Sequence, residues 1–94
     1  MFITVMCLGL PGSCPGRVPI EIDRPGPLSL GDLIVQELAA RYGPDFVAAL
    51  IDRDGLRPGY VVLLNGRNAT QVGGLQAIVA DGATVLFTVP VAGG

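Results

Sequence analysis

Histidine, lysine and tryptophan are all missing from this 94-residue chain. Without histidine there is no Ser-His-Asp or Cys-His nucleophile system and no His-ligated metal site. Without lysine there is no Schiff-base chemistry, no Walker-type phosphate lysine, and no side chain that could accept an isopeptide bond. Charge is sparse, at 15% of residues, and six arginines face eight carboxylates for a net charge of −2. That balance argues against nucleic acid as the main partner. The length excludes a two-domain enzyme, and a composition that is 50% apolar excludes disorder. One small packed domain over residues 1–94 is expected, and most independent enzyme chemistry is already removed.

Two cysteines are present. Cys7 lies in an apolar run and reads as a buried core thiol. Cys14 lies in the loop Pro11-Gly12-Ser13-Cys14-Pro15-Gly16 and reads as exposed; nothing in the sequence supports a disulfide between them, though none is excluded. Two thiols cannot close a four-ligand zinc site, and Asp52-Arg53-Asp54 has no third acid placed beside it, so no metal site is expected. The apolar N-terminus lacks the positive flank of a signal peptide and is stopped by Pro11. No apolar stretch approaches ~20 residues, so no membrane span is expected and the reduced cytoplasm is the expected compartment.

Residues 2–8 read as a strand, and the alternation of Val18, Ile20 and Ile22 with Pro19, Glu21 and Asp23 reads as a half-buried hairpin partner. Ser29 offers an N-cap with Asp32 three residues on, and Leu30, Leu33, Ile34 and Leu38 build an apolar stripe for a helix over about 30–42. Gly43 caps it and Pro44 ends it. Residues 45–51 read as a second short helix and 52–59 as a loop. Residues 60–64 form a continuous apolar run, as in a strand buried on both faces. Asn65-Gly66 signals a type I′ turn into a short strand at 67–70, Gly73-Gly74 a further turn, and Asp81-Gly82 a turn before a last strand at 84–89. The first and last strands are the most apolar and belong side by side at the sheet centre. The sum is an α+β, ubiquitin-like β-grasp: a mixed sheet of four to five strands packed on one main helix.

The tail Pro90-Val91-Ala92-Gly93-Gly94, following a final strand, resembles the ubiquitin-like sulfur carriers of the MoaD/ThiS family. Upstream, Leu64-Asn65-Gly66-Arg67-Asn68, Gly73-Gly74-Leu75 and Asp81-Gly82 stand where that family has its hairpin turn, its GGL turn and its pre-strand turn. Val89-Pro90 stands where many molybdopterin-type members have two successive prolines. The resemblance implies a flexible Gly-Gly tail at 90–94. An adenylating enzyme of the ubiquitin-activating type would use ATP to convert the Gly94 carboxylate to an acyl-adenylate. Sulfur would then displace AMP to leave a thiocarboxylate. No cofactor would be bound by the chain itself. Glycine at 93 and 94 has no Cβ and could enter a narrow channel, and Pro90 would restrict the root of the tail.

Such a carrier must be gripped by its partners. On the last strand Val85, Phe87 and Val89 share the expected core face, as do Val62 and Leu64 on the strand before. Val61, Leu63, Leu86 and Thr88 would then point outward as an apolar docking patch continuous with Pro90, Val91 and Ala92, with Asn65, Arg67 and Asn68 at its rim. The alternative is that the second helix or a loop covers the patch. Arg17, Arg24, Arg41, Arg53 and Arg57 read as solvated surface. The resemblance implies first the small subunit of molybdopterin synthase, whose large subunit accepts the sulfur. Carriers for cysteine, thiamine or tRNA thiolation, or a protein modifier joined through Gly94 to lysines on targets, are the alternatives. The chain alone would not be catalytic.

Overall fold

A computed structural model of the chain describes residues 1–8, 17–23, 26–53, 55–57 and 59–89. Cys14 and its loop, Arg24, and the tail Pro90, Val91, Ala92, Gly93 and Gly94 lie outside the described residues. Strand β1 (Phe2–Cys7) alternates Ile3, Val5 and Cys7 inward with Thr4 and Met6 outward. It pairs antiparallel with β2 (Arg17–Glu21) on one side. On the other side it pairs parallel with the last strand of the fold, β9 (Thr84–Thr88), from Thr4↔Thr84 to Cys7↔Phe87.

The chain between these two central strands supplies the rest of the layer structure. Leu28–Ser29 forms β3, and Ser29 then caps the main helix, its side-chain oxygen accepting from the Asp32 backbone N–H at 3.1 Å. The helix is α-helical at Leu30–Asp32, π-helical at Leu33–Leu38 and α-helical again at Ala39–Tyr42. Sequence patterning alone predicts a uniform α-helix here. The core positions Leu30, Ile34 and Leu38, with partly buried Tyr42, recur every fourth residue. In a pure α-helix of ~3.6 residues per turn such a stripe would rotate by about 40° per step. The wider π turns rotate it back, so one face stays on the sheet throughout.

Gly43 ends this helix with φ 90° and ψ 170°, a region open to glycine rather than the left-handed helical cap. Pro44 does more than terminate: it is the first residue of the second helix, Pro44–Leu50, where its missing N–H costs nothing. Phe46 and Leu50 of that helix are buried, and the Phe46 ring meets Phe87 edge-on at 5.5 Å.

The segment expected to be a loop holds a small hairpin, β4 (Ile51–Asp52) with β5 (Gly55–Leu56). Arg57 reads as solvated from sequence, but its Nε donates to the Ala48 carbonyl at 2.7 Å and its Nη1 stands 3.9 Å from Asp52. Arg41 is likewise tied down, donating to the Glu21 carbonyl at 3.1 Å.

Strand β6 (Val61–Leu64) pairs antiparallel with β9 and turns through Asn65 (φ 52°) and Gly66 (φ 84°) into β7 (Arg67–Asn68). Both positive φ values fit the type I′ turn. Two 3₁₀ turns, Ala69–Gln71 and Gly74–Gln76, lead to β8 (Ile78–Val79), which pairs with β3. At Gly73 φ is 118° and an added Cβ would stand 3.1 Å from the Ala77 nitrogen, so any side chain there is strained. Asp81 closes the far end, accepting from the Phe2 N–H at 2.7 Å.

The order in the main sheet is β2-β1-β9-β6-β7, a mixed five-stranded sheet with the main helix on its inner face. The apolar run at 60–64 is buried on one face, not two: Val62 and Leu64 are buried while Val61 and Leu63 are half-buried. Val89, expected in the core, lies past the strand end and is exposed. Cys7 is buried as expected, but it is disulfide-bonded and not a free thiol. The sequence has one other cysteine, Cys14. Among the described residues no helix is long and apolar enough to cross a membrane.

Two outcomes check this description. Gly73→Ala should lower stability by about 1–3 kcal/mol in denaturant titration, since it forces both a left-handed φ and a backbone contact. Alkylation of the denatured, unreduced protein should leave Cys7 unmodified, whereas prior dithiol treatment should expose it to the reagent; labelling without reductant would contradict the disulfide.

Candidate functional site

The outer face of the sheet follows from the pleat and the register. With Val62, Leu64, Val85 and Phe87 committed to the core, their neighbours must point away from the helix. The register sets Leu63 opposite Leu86 and Val61 opposite Thr88. The four residues expected to form a patch are therefore brought together as two cross-strand pairs, each of them half-buried. The second helix does not cover them. It packs through Phe46 on Phe87, whose side chain lies on the opposite, inner face.

Sequence reasoning missed that the patch continues across β1. Met6 stands beside Leu86 in the parallel register, and the Leu8 N–H donates to the Phe87 carbonyl at 2.9 Å, which carries the row past the end of β1. Met6 is half-buried and Leu8 is 52% exposed. The period-two alternation of the first strand was the available signal, masked because both its faces are apolar.

Because β1 and β9 are parallel, both leave the sheet at the same end. Residue 89 thus follows directly from the apolar end of the outer face, and residues 90–94 continue the sequence beyond the described residues.

The expected polar rim is largely engaged in building the fold. Asn65 holds Thr84 with both its groups: Oδ1 accepts from the Thr84 N–H at 2.9 Å and its own N–H donates to the Thr84 carbonyl at 2.8 Å. The Asn68 side-chain Oδ1 caps the first 3₁₀ turn, accepting from the Thr70 N–H at 3.1 Å and from its hydroxyl at 2.9 Å. Arg67 is exposed at the sheet edge.

Elsewhere, a shallow depression lies between β5 and residues 70–76, lined by Leu56, Thr70, Leu75 and Gln76 among others. It holds hydroxyl, amide and backbone groups and no acid or base. Among the described residues no three His, Cys, Asp or Glu side chains are grouped so as to hold a metal ion.

A five-stranded mixed sheet wrapped on one main helix, with parallel first and last strands, defines a ubiquitin-like β-grasp protein. Comparison with known proteins refines the class. Residues 14–94 match the model of the ThiS family, and the chain belongs to that family. It is 32% identical over 76 residues to ubiquitin-related modifier 1 of Saccharomyces cerevisiae (strain YJM789), covering 80% of this chain and 77% of the yeast protein. The solution structure of Urm1 from Trypanosoma brucei superposes with a TM-score of 0.76 at 32% identity, covering 99% of this chain and 95% of that one. A chain of the BexX/CysO complex of Amycolatopsis orientalis shares the fold, with a TM-score of 0.73 at 23% identity over 98% of this chain and 99% of that one. The protein is therefore a ubiquitin-like member of the sulfur-carrier and modifier family.

The assignment of faces is checked by paired truncations. Leu64→Ala should cost about 2–5 kcal/mol and Leu63→Ala under about 1.5 kcal/mol in chemical denaturation, because only the first leaves a cavity in the core. Equal losses would contradict the assignment.

Proposed function

We propose that the chain is a sulfur carrier whose reacting group is the Gly94 carboxylate. The observation that supports this most directly is the family match, which runs through Gly93 and Gly94 on a chain whose central strand β9 delivers residue 89 at the apolar end of the outer face. Carboxylate is a poor electrophile. ATP supplies AMP as a leaving group: the carboxylate oxygen attacks the α-phosphorus and pyrophosphate departs. A persulfide on a donor protein then attacks the acyl carbon and AMP leaves. A further thiol reduces the resulting acyl disulfide and frees the thiocarboxylate.

The chain contributes binding and presentation to this sequence of steps, not acid–base catalysis. Val61, Leu63, Leu86 and Thr88 dock the adenylating enzyme, with Pro90, Val91 and Ala92 continuing the contact into its channel. Gly93 and Gly94 enter where walls must enclose the reacting carbonyl, which a Cβ would obstruct. ATP is bound by the partner.

The acceptor we assign first is the pterin precursor held by the large subunit of molybdopterin synthase, following the overall resemblance to the MoaD/ThiS carriers. A second reading is attachment to lysines on other proteins. It is favoured by the 32%-identical relatives, which bear the name ubiquitin-related modifier. In that role the absence of lysine would allow single attachment and bar chains linked through its own side chains.

ATP–pyrophosphate exchange by the adenylating enzyme of the source organism tests the common first step. Wild-type chain should support exchange, and a variant extended by one alanine after Gly94 should support none, since the carboxylate is displaced from the α-phosphorus. Equal exchange by both, or none by the wild type with an active enzyme, would overturn the proposal. Offered the charged chain, the pterin synthase and a lysine-bearing protein extract separate the two acceptors.

A further inference from the structure

The outer face is electrically lopsided. The row one step back from Leu8, Thr88 and Val61 runs Arg17, Met6, Leu86, Leu63, Asn68 across the five strands, as the register shows. Arg17 is the single charge at the outward strand positions of that row and of the neighbouring Leu8–Thr88–Val61 row. It is exposed, and among the described residues no ion pair or hydrogen bond engages its side chain. The acids of this face stand at the other end. Glu21 pairs with Phe2, and Asp81 accepts from the Phe2 N–H. At ~3.3 Å per residue Glu21 is about 13 Å from Arg17 along β2. That exceeds the Debye length of ~8 Å at physiological ionic strength, so its field does not cancel that of Arg17. The chain is net negative, yet among the described residues the apolar end of the outer face is flanked by a cation with no acid beside it.

We propose that Arg17 is a partner-reading residue: it pairs with a carboxylate at the margin of the apolar surface that receives Met6, Leu86 and Leu63. This rests on the sulfur-carrier reading, and the partner it commits to is the adenylating enzyme. An apolar contact alone carries no orientation. A single cation at one flank of a symmetric-looking band sets which way round the carrier sits, and so whether the tail points into the channel. In this role it acts on association and not on the chemical step.

The test is steady-state adenylation of Arg17→Glu against wild type and against Arg53→Glu, an exposed arginine in the turn of the β4–β5 hairpin. Unchanged circular dichroism and melting show that the variants are folded. Arg17→Glu should raise the KM for the carrier by about tenfold or more with kcat preserved, and Arg17→Lys should restore most of the loss. The wild-type KM should rise with added salt, and that of Arg17→Glu should not. Arg53→Glu should behave as wild type.

A KM for Arg17→Glu within twofold of wild type at low salt would overturn the inference while leaving the sulfur-carrier reading in place. So would an equal rise with Arg53→Glu, which would mean that net charge alone is felt. A wild-type chain that is never adenylated would instead remove the reading on which the inference rests.

Discussion

The parallel pairing of the first and last strands is the constraint on which the rest of the molecule depends. Parallel neighbours cannot be joined by a tight turn, so the chain between Cys7 and Thr84 must make a crossover and return to the end at which β1 began. The hairpin to β2, the main helix, the second helix and the β6–β7 hairpin are the means of that return. The pairing also buries Val5, Val85 and Phe87 completely, at the centre of the apolar cluster that the helices cover. Each such side chain contributes about 1.5–3 kcal/mol through removal from water.

The same pairing makes the functional geometry. Two parallel strands end on the same side, so the departure point of the tail and the Met6–Leu8 end of β1 are neighbours by construction. The pleat then divides the two faces: Val85 and Phe87 hold the core, and Leu86 and Thr88 stay half-buried on the outer face. A residue can be altered on one face without the other registering it. This separation suits the proposed role of a handle for a reactive terminus. The disulfide at Cys7 sits at this same end of β1, opposite Phe87.

Much of this was legible in the residues. Turn chemistry at Asn65-Gly66 and Asp81-Gly82, the Ser29 cap and the helical stripe each pointed to the element observed, because local backbone preference and burial agree there. The central, side-by-side placement of β1 and β9 followed from their apolar richness. What escaped reading was set by tertiary contacts. The π-helical run reconciles a four-residue stripe with a sheet it must follow, and nothing in Leu33–Leu38 announces it locally. The β4–β5 hairpin is held at its base by contacts distant in the pattern, Arg57 donating back to the Ala48 and Leu50 carbonyls. Val89 was assigned to the core by alternation, but alternation has no meaning once the strand has ended. Of the site, the four outward residues of β6 and β9 were readable from period two. Met6 and Leu8 were not, since a strand apolar on both faces hides which face is which.

The most direct measurement on the central claim is the intact mass of the chain, with fragmentation, after incubation with ATP, a persulfide donor, a thiol reductant and the adenylating enzyme. The account predicts a gain of about 16 Da, one oxygen replaced by one sulfur, confined to the fragment that ends at Gly94. A gain located at Cys7 or Cys14, or an unchanged mass with an enzyme shown to be active, would contradict it.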